Sequence, residues 1–399
     1  MKEESEYIGI LFKYRLVFNL WFLDTILQKE LPMKNPFVFS HIVTDDYFCD
    51  RDELEMLKNY MTSSTNVVLF SKRRYGKSSL IKEIFKNHID QDEYLTIYFD
   101  IFDMSSSNDF AYSFYKAVAK SFKNDMHSIL QTLKSIFSRA TFSATVTSSG
   151  EIEFKPSLAH QSFDDMMEDI FVNLSNYLKK HNKKAIVAID EFQQIATIKE
   201  KNIEATLRTY IQNIDNIGFV FSGSKKHLLT QMFTNYAKPF YAQATPLELF
   251  PIPKERFYAF VKEKFETSDK TITKEAFGTL YELVDGESWL VQNVCYHLWQ
   301  NFENVEKEHI EPMIKEIAAM SDAIYKMMFD NFSNTQKSAL KIIVNNKGAN
   351  LLSKDVLNLN DISKSSLVSA LNVLLDKEVI DKSDNAYYIN DKLFEMWLK

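Results

Sequence analysis

The stretch VVLFSKRRYGKSSLIKEIF, Val67 to Phe85, decides the fold. Its first residues form a short apolar run that suits a strand buried on both faces. A basic turn follows, and Gly76-Lys77-Ser78 leads into a helical pattern with Leu80, Ile81, Ile84 and Phe85 on one side. Strand, turn and helix in this order match the phosphate-binding loop G-x-x-x-x-G-K-[ST]. In such a loop successive backbone N–H groups and the positive helix N-terminus surround phosphates. Gly76 lets the backbone approach, Lys77 reaches the β- and γ-phosphates, and Ser78 offers its hydroxyl to Mg²⁺. The candidate nucleotide contacts are therefore Ser71, Lys72, Arg73, Arg74, Tyr75, Gly76, Lys77, Ser78 and Ser79. The first glycine of the pattern is replaced by Ser71. A Cβ there is costly only if the backbone is left-handed, and costs little at negative φ. The plainer alternative is a strand, turn and helix in the same order whose turn is only a basic surface turn.

Two more segments place chemistry at strand ends. In AIVAIDEF an apolar run closes on Asp190 and Glu191. Asp190 is the candidate second Mg²⁺ group, acting through water, and Glu191 the candidate group that orients and polarises an attacking water. In FVFSGS, Ser222 and Ser224 both qualify as a polar reporter of the γ-phosphate, and the sequence does not choose between them. Strand patterns at 66–70, 94–102, 184–192, 217–224 and 245–252 alternate with helical ones, which implies a mostly parallel sheet covered on both faces. Ligands of such sheets sit beyond the carboxyl ends of the strands. The architecture would thus gather three segments that lie far apart in sequence.

The remaining chain fills in the organisation. Residues 141–156 alternate with period two around Ser148-Ser149-Gly150, predicting a hairpin inserted in the core. Its apolar face either packs on the helices at 108–137 or serves as a docking arm. After about residue 253 strand signals stop and helices run to 328. The last segment reads as three helices and two short strands, a winged helix. The expected fold is an α/β P-loop NTPase, with a mostly parallel sheet sandwiched by helices. Its expected parts are a core at 33–265, a helical lid at 266–328, a winged helix at 329–399, and an N-terminal extension at 1–32. Tyr14–Leu27 is apolar but broken by Arg15, Asn19 and Asp24. It is too short for a membrane span and reads as an amphipathic helix; Met33 is an alternative start. Net charge is −7 over 399 residues, which argues against a chain-wide nucleic-acid-coating surface. Cys49 and Cys295 fit no metal or redox spacing, and a reducing, cytoplasmic setting suits two free thiols.

Taken together, YFCDRDELEML (47–57), SKRRYGKSSLI, AIDEFQQI, FSGSKKHLL and the closing YYINDKLFEMWL resemble the archaeal-type P-loop ATPases of the STAND and AAA+ branch over about 36–399. The resemblance implies ATP binding, Mg²⁺ dependence and slow, switch-like hydrolysis, with Arg51 near the base or ribose. The chain departs from the family at Ser71, at Gln243 where an arginine is common, and at the lid segment DGESWLVQN, which has no basic residue at its helix start. Arginines of these kinds stabilise charge on the γ-phosphate, so the departures bear on hydrolysis more than on binding; Arg73, Arg74 or a partner could substitute. Three functional readings follow: an ATPase switch with a protein partner, an ATP-binding scaffold with little turnover, and a DNA-binding ATPase. The last has weak support, because the winged helix is charge-balanced and its third helix has lysines but no arginine for guanine. No membrane association is expected, and self-assembly is left open.

Overall fold

In the computed structural model the described residues are 34–122, 126–137, 139–147, 152–158, 162–198, 203–383 and 386–399. The expected N-terminal helix therefore lies outside the described residues. Five strands make the central sheet: β1 (Val67–Phe70), β2 (Tyr94–Asp100), β5 (Lys184–Asp190), β6 (Ile217–Gly223) and β7 (Thr245–Glu248). All of their pairings are parallel, in the order β2-β5-β6-β1-β7. β1 and β6 are buried at every position, as their continuous apolar runs require of strands covered on both faces.

The order puts the chemistry in one place. β1 leads into the helix Lys77–Glu83, while β2 crosses to the far edge, leaving β5 and β6 between it and β1. The register sets Asp100 beside Asp190 and Phe70 beside Gly223. Hence the loop after Phe70 and the ends of β2, β5 and β6 open on one side, at the switch in strand order.

The inserted hairpin is β3 (Ala140–Val146) paired antiparallel with β4 (Ile152–Leu158); its tip lies outside the described residues. It packs on the chain's own helices. Phe142 lies edge-on to Tyr115 of the helix Ser107–Ser121, Phe154 is 3% exposed in the core cluster, and Lys116 pairs with Glu153 at 3.1 Å. A two-stranded ribbon is marginal alone, and these helices supply the missing face.

Strand signals beyond residue 253 are not wholly absent, contrary to expectation. β8 (Thr271–Ile272) and β9 (Asn304–Val305) form a parallel bridge too short to leave a period in the sequence. The winged helix comprises helices Asn334–Asn345, Lys354–Leu359 and Lys364–Asp376, then β10 (Ile380–Ser383) and β11 (Ala386–Ile389). Its core is continuous with that of the lid. One hydrophobic cluster runs from Phe37, Phe257 and Phe265 through Leu290 and Ile314 to Leu371 and Phe394. Helix Lys254–Glu266, grouped above with the core, contributes its buried Phe257, Val261 and Phe265 to this cluster.

Candidate functional site

Ser71 follows β1 and is buried. Arg74 and Glu191 adopt positive φ, 64° and 54°, whereas Ser71 does not. The absent glycine therefore costs no backbone strain. The Ser71 hydroxyl donates to the carbonyl of Lys72 at 2.8 Å and accepts from Lys77 Nζ at 3.2 Å. Gly76 has φ 90° and starts the helix Lys77–Glu83; an L side chain would be strained there. No side chain caps this helix and its first turn carries no acid. Its leading N–H groups are the donors that a helix end offers to an anion.

Across from the loop, Ser78 Oγ donates to Asp190 Oδ2 at 2.6 Å. Tyr98 donates its hydroxyl to the same oxygen at 2.6 Å, and the Glu191 amide donates to Asp190 Oδ1 at 3.1 Å. Lys77 is 7% exposed. Burial pushes its ammonium below the usual lysine range, and the charges of Asp190 and Glu191 pull the other way. Burial, followed by the nearby charges of Asp190 and Glu191, raises the Asp100 carboxyl. Among the described residues no group of three or more His, Cys, Asp or Glu could hold a metal ion by itself. Ser78 and Asp190 form a two-oxygen set, and Mg²⁺ characteristically takes one or two protein oxygens with waters and phosphates completing its shell.

Glu191 Oε2 accepts from Gln193 Nε2 and, at 3.1 Å, from Ser224 Oγ. A Cβ on Gly223 would lie 2.0 Å from Gln193 Oε1, so this glycine is what lets Gln193 reach Glu191. Ser222 Oγ is buried without a hydrogen-bond partner. Of the two serines, only Ser224 touches the acidic motif.

These groups face a cavity of about 560 Å³, within the usual range for small-ligand sites. Its floor includes Arg73 to Ser79, Glu191 and Ser224, and its walls include Phe39, Ile42, Tyr47 and Trp289. Residues 38–49 cross it as a strap. Trp289 Nε1 donates to the Phe39 carbonyl at 2.7 Å, Gln292 Nε2 to the Tyr47 carbonyl at 3.1 Å, and the Val43 amide to Ser79 Oγ at 3.2 Å. The strap thus joins the lid helix Ser288–Asn301 to the helix that follows the loop.

Residues 48–294 match the family model of an ATPase domain predominantly from Archaea. The chain belongs to this ATPase family. Residues 323–399 match a winged helix domain family. Among solved structures, the Walker-type ATPase PABY2304 of Pyrococcus abyssi is similar at TM-score 0.62 and 18% identity, covering 89% of this chain and 97% of that one. The Aeropyrum pernix ORC2 protein, solved in ADPNP and ADP complexes, is similar at TM-score 0.51 and 14% identity, covering 87% and 91%. At these identities the likeness is one of fold. No curated protein matches the chain.

Within this ATPase the residues singled out from sequence divide into two sets. Arg51, Arg73, Arg74, Tyr75, Gly76, Lys77, Ser78, Ser79, Glu191 and Ser224 line the cavity. Ser71 and Asp190 stand behind that lining, hydrogen-bonded to Lys77 and Ser78. Two residues depart from their expected place. Lys72 points away, with Nζ 4.3 Å from the centre of the Tyr388 ring of the winged helix, and Ser222 is enclosed under the sheet end. Arg51 is a clamp as much as a wall. It donates to the Tyr75 carbonyl at 2.8 Å and to that of Phe250, and pairs with Glu53 at 3.1 Å. Gln243 turns onto its own loop, donating to the Tyr241 carbonyl at 3.3 Å. Arg74 is held by Asp391 at 3.2 Å and Glu287 at 3.8 Å, and lies over the Trp289 ring at 4.3 Å. Sequence reasoning missed the strap, Trp289, Gln292 and Gln193. Only Gln193 had a signal, its place directly after Asp190-Glu191-Phe192.

Proposed function

We propose that this chain binds ATP with Mg²⁺ in the cavity and hydrolyses it slowly, as a molecular switch. The observation that carries the reading is the 2.6 Å hydrogen bond from Ser78 to Asp190 beside the buried Lys77. It joins the loop to the acidic motif in the arrangement that the chemistry of a Mg²⁺-bound triphosphate needs. Ser78 and Asp190 would hold the ion, which neutralises charge on the phosphates. Lys77 and the N–H groups at the start of its helix would bind the phosphates, and the apolar strap would cover the base. Glu191 would orient water, with Ser224 and Gln193 fixing its carboxylate. Calorimetry with ATP and Mg²⁺ on wild type and Lys77→Ala tests the site. Binding should fall at least about ten-fold in the variant, given the worth of a charge-assisted contact, and equal binding by both proteins sinks the assignment.

A second reading, ATP binding with little turnover, draws support from the arginines. Arg74 is engaged by the lid and winged helix, and Gln243 stands where the family commonly has an arginine. Phosphate release from wild type and Glu191→Gln separates the two. Turnover that vanishes in Glu191→Gln supports the switch, and equally negligible release from both supports the scaffold. A protein partner reading the nucleotide state belongs to either proposal. DNA binding gains little, since Arg73, Arg74, Lys225 and Lys226 are all paired with carboxylates of this chain.

A further inference from the structure

We propose that Glu378 of the winged helix sets the preference of the site for a nucleoside diphosphate over a triphosphate. This rests on the nucleotide reading above. Glu378 follows the helix Lys364–Asp376 in a left-handed conformation, φ 57°. The turn is pinned: the Glu378 amide donates to the Leu375 carbonyl at 2.9 Å, and its carbonyl accepts from Asn390 Nδ2 at 2.8 Å. Its carboxylate is thereby held between two cations, with Oε2 on Arg73 and Oε1 on Lys225. Arg73 belongs to the phosphate loop, and Lys225 directly follows Ser224, which touches Glu191.

A second cleft, about 730 Å³, lies between the core and the winged helix. Arg73 and Ser224 line both this cleft and the nucleotide cavity. They are the partition between the nucleotide and Glu378. The neighbouring cations are also engaged, Lys72 with Tyr388 and Arg74 with Asp391 and Glu287. A diphosphate is served by Lys77 and the helix N-terminus. The extra phosphate of a triphosphate shares Lys77 and adds charge beside Glu191 and Ser224, where Arg73 and Lys225 are already held by the negative charge of Glu378. Either the cations leave Glu378 or the third phosphate goes without them. Binding of a triphosphate is thus coupled to release of this contact of the winged helix, and a ligand can shift that equilibrium only through such a difference in affinity.

Calorimetry on the full chain, with ADP and with a slowly hydrolysed ATP analogue, tests the proposal. Glu378→Gln keeps the side-chain size and removes the charge. The analogue-to-ADP affinity ratio should rise roughly five-fold, as expected for two partly exposed ion pairs, while ADP affinity stays within about two-fold. In an Arg73→Ala background the same exchange should move the ratio by less than about two-fold. An unchanged ratio in Glu378→Gln, an equal shift for both nucleotides, or a full effect persisting without Arg73 would each overturn it. Lys77→Ala, run alongside, separates the two failures. If it binds both nucleotides as wild type does, the nucleotide site falls and this proposal with it. If it loses both while the ratio in Glu378→Gln is unchanged, only the role of Glu378 falls.

Discussion

Glu287 sits where three parts of the chain meet. It precedes the lid helix, lies 3.8 Å from Arg74 of the phosphate loop, and is 6% exposed. Burial raises its carboxyl to about 7. Arg74 and Lys392 oppose the rise, while Asp391 and Asp285 add to it. The folded chain therefore binds this proton more tightly than the unfolded chain. Between the unfolded carboxyl range and about pH 7, this group makes stability fall as pH rises; above pH 7 its contribution is flat. Glu287→Gln should match wild type near pH 5 and exceed it at pH 8, by up to ~3 kcal/mol. Thermal melts at the two pH values check this, and a variant less stable at pH 8 would reverse the assignment. Gly223 gives a second test at this scale. In Gly223→Ala the new methyl group meets Gln193 Oε1, so Gln193 must leave Glu191. A loss of about 1–3 kcal/mol is expected, with phosphate release falling by more than ADP binding does.

The inserted hairpin can be judged as an element. Phe154 is buried, and Phe142 meets Tyr115 and Phe137, so β3 and β4 complete a wall of the core. Replacing 143–153 with a Gly-Ser linker should lower the melting temperature markedly. Phe154→Ala should cost about 3 kcal/mol by denaturant titration. An unchanged melt after the replacement would restore the docking arm. The elements legible from sequence share one property: their signal is local. Val67–Phe70 and Lys184–Asp190 announce themselves as apolar runs, and Gly76-Lys77-Ser78 by a fixed spacing. What was not legible depends on distant pairing. The strap at 38–49 is a wall only because Phe39 meets Trp289, 250 residues away, and β8 and β9 are too short to carry a period. Ser222, on β6, and Ser224, just past its end, have the same residue type and the same parity. Only the arrival of Glu191 from β5 tells them apart.

At the scale of the whole molecule, the lid and winged helix share a core. Tyr325 packs on Phe394 and Trp397, and the buried Met313, Ile314 and Ile317 belong to the same cluster as Leu393 and Phe394. The two should move as one body, hinged on the α/β core by the strap and by the ion pairs at Arg73, Arg74 and Lys225. Deleting 329–399 would uncover Ile314 and Ile317, so the shortened chain should lose cooperative melting of its lid as well, read by calorimetry. A lid that melts unchanged would show the two to be separate units.

The contact between Arg74 and Trp289 gives the molecule an optical property. Of its four tryptophans, Trp289 alone among those described lines the cavity, with a guanidinium 4.3 Å over its ring and its indole N–H on the Phe39 carbonyl. Trp299 and Trp397 lie elsewhere in the lid and winged-helix cluster. The emission of this one indole is therefore tied to the position of a phosphate-loop cation. Adding ATP and Mg²⁺ should change the intensity or wavelength of tryptophan emission, because the cation over the ring and the partner of its N–H both change, and Trp289→Phe should abolish that change. The chain carries its own fluorophore at the joint between loop and lid, so occupancy and lid position can be followed in time without a label.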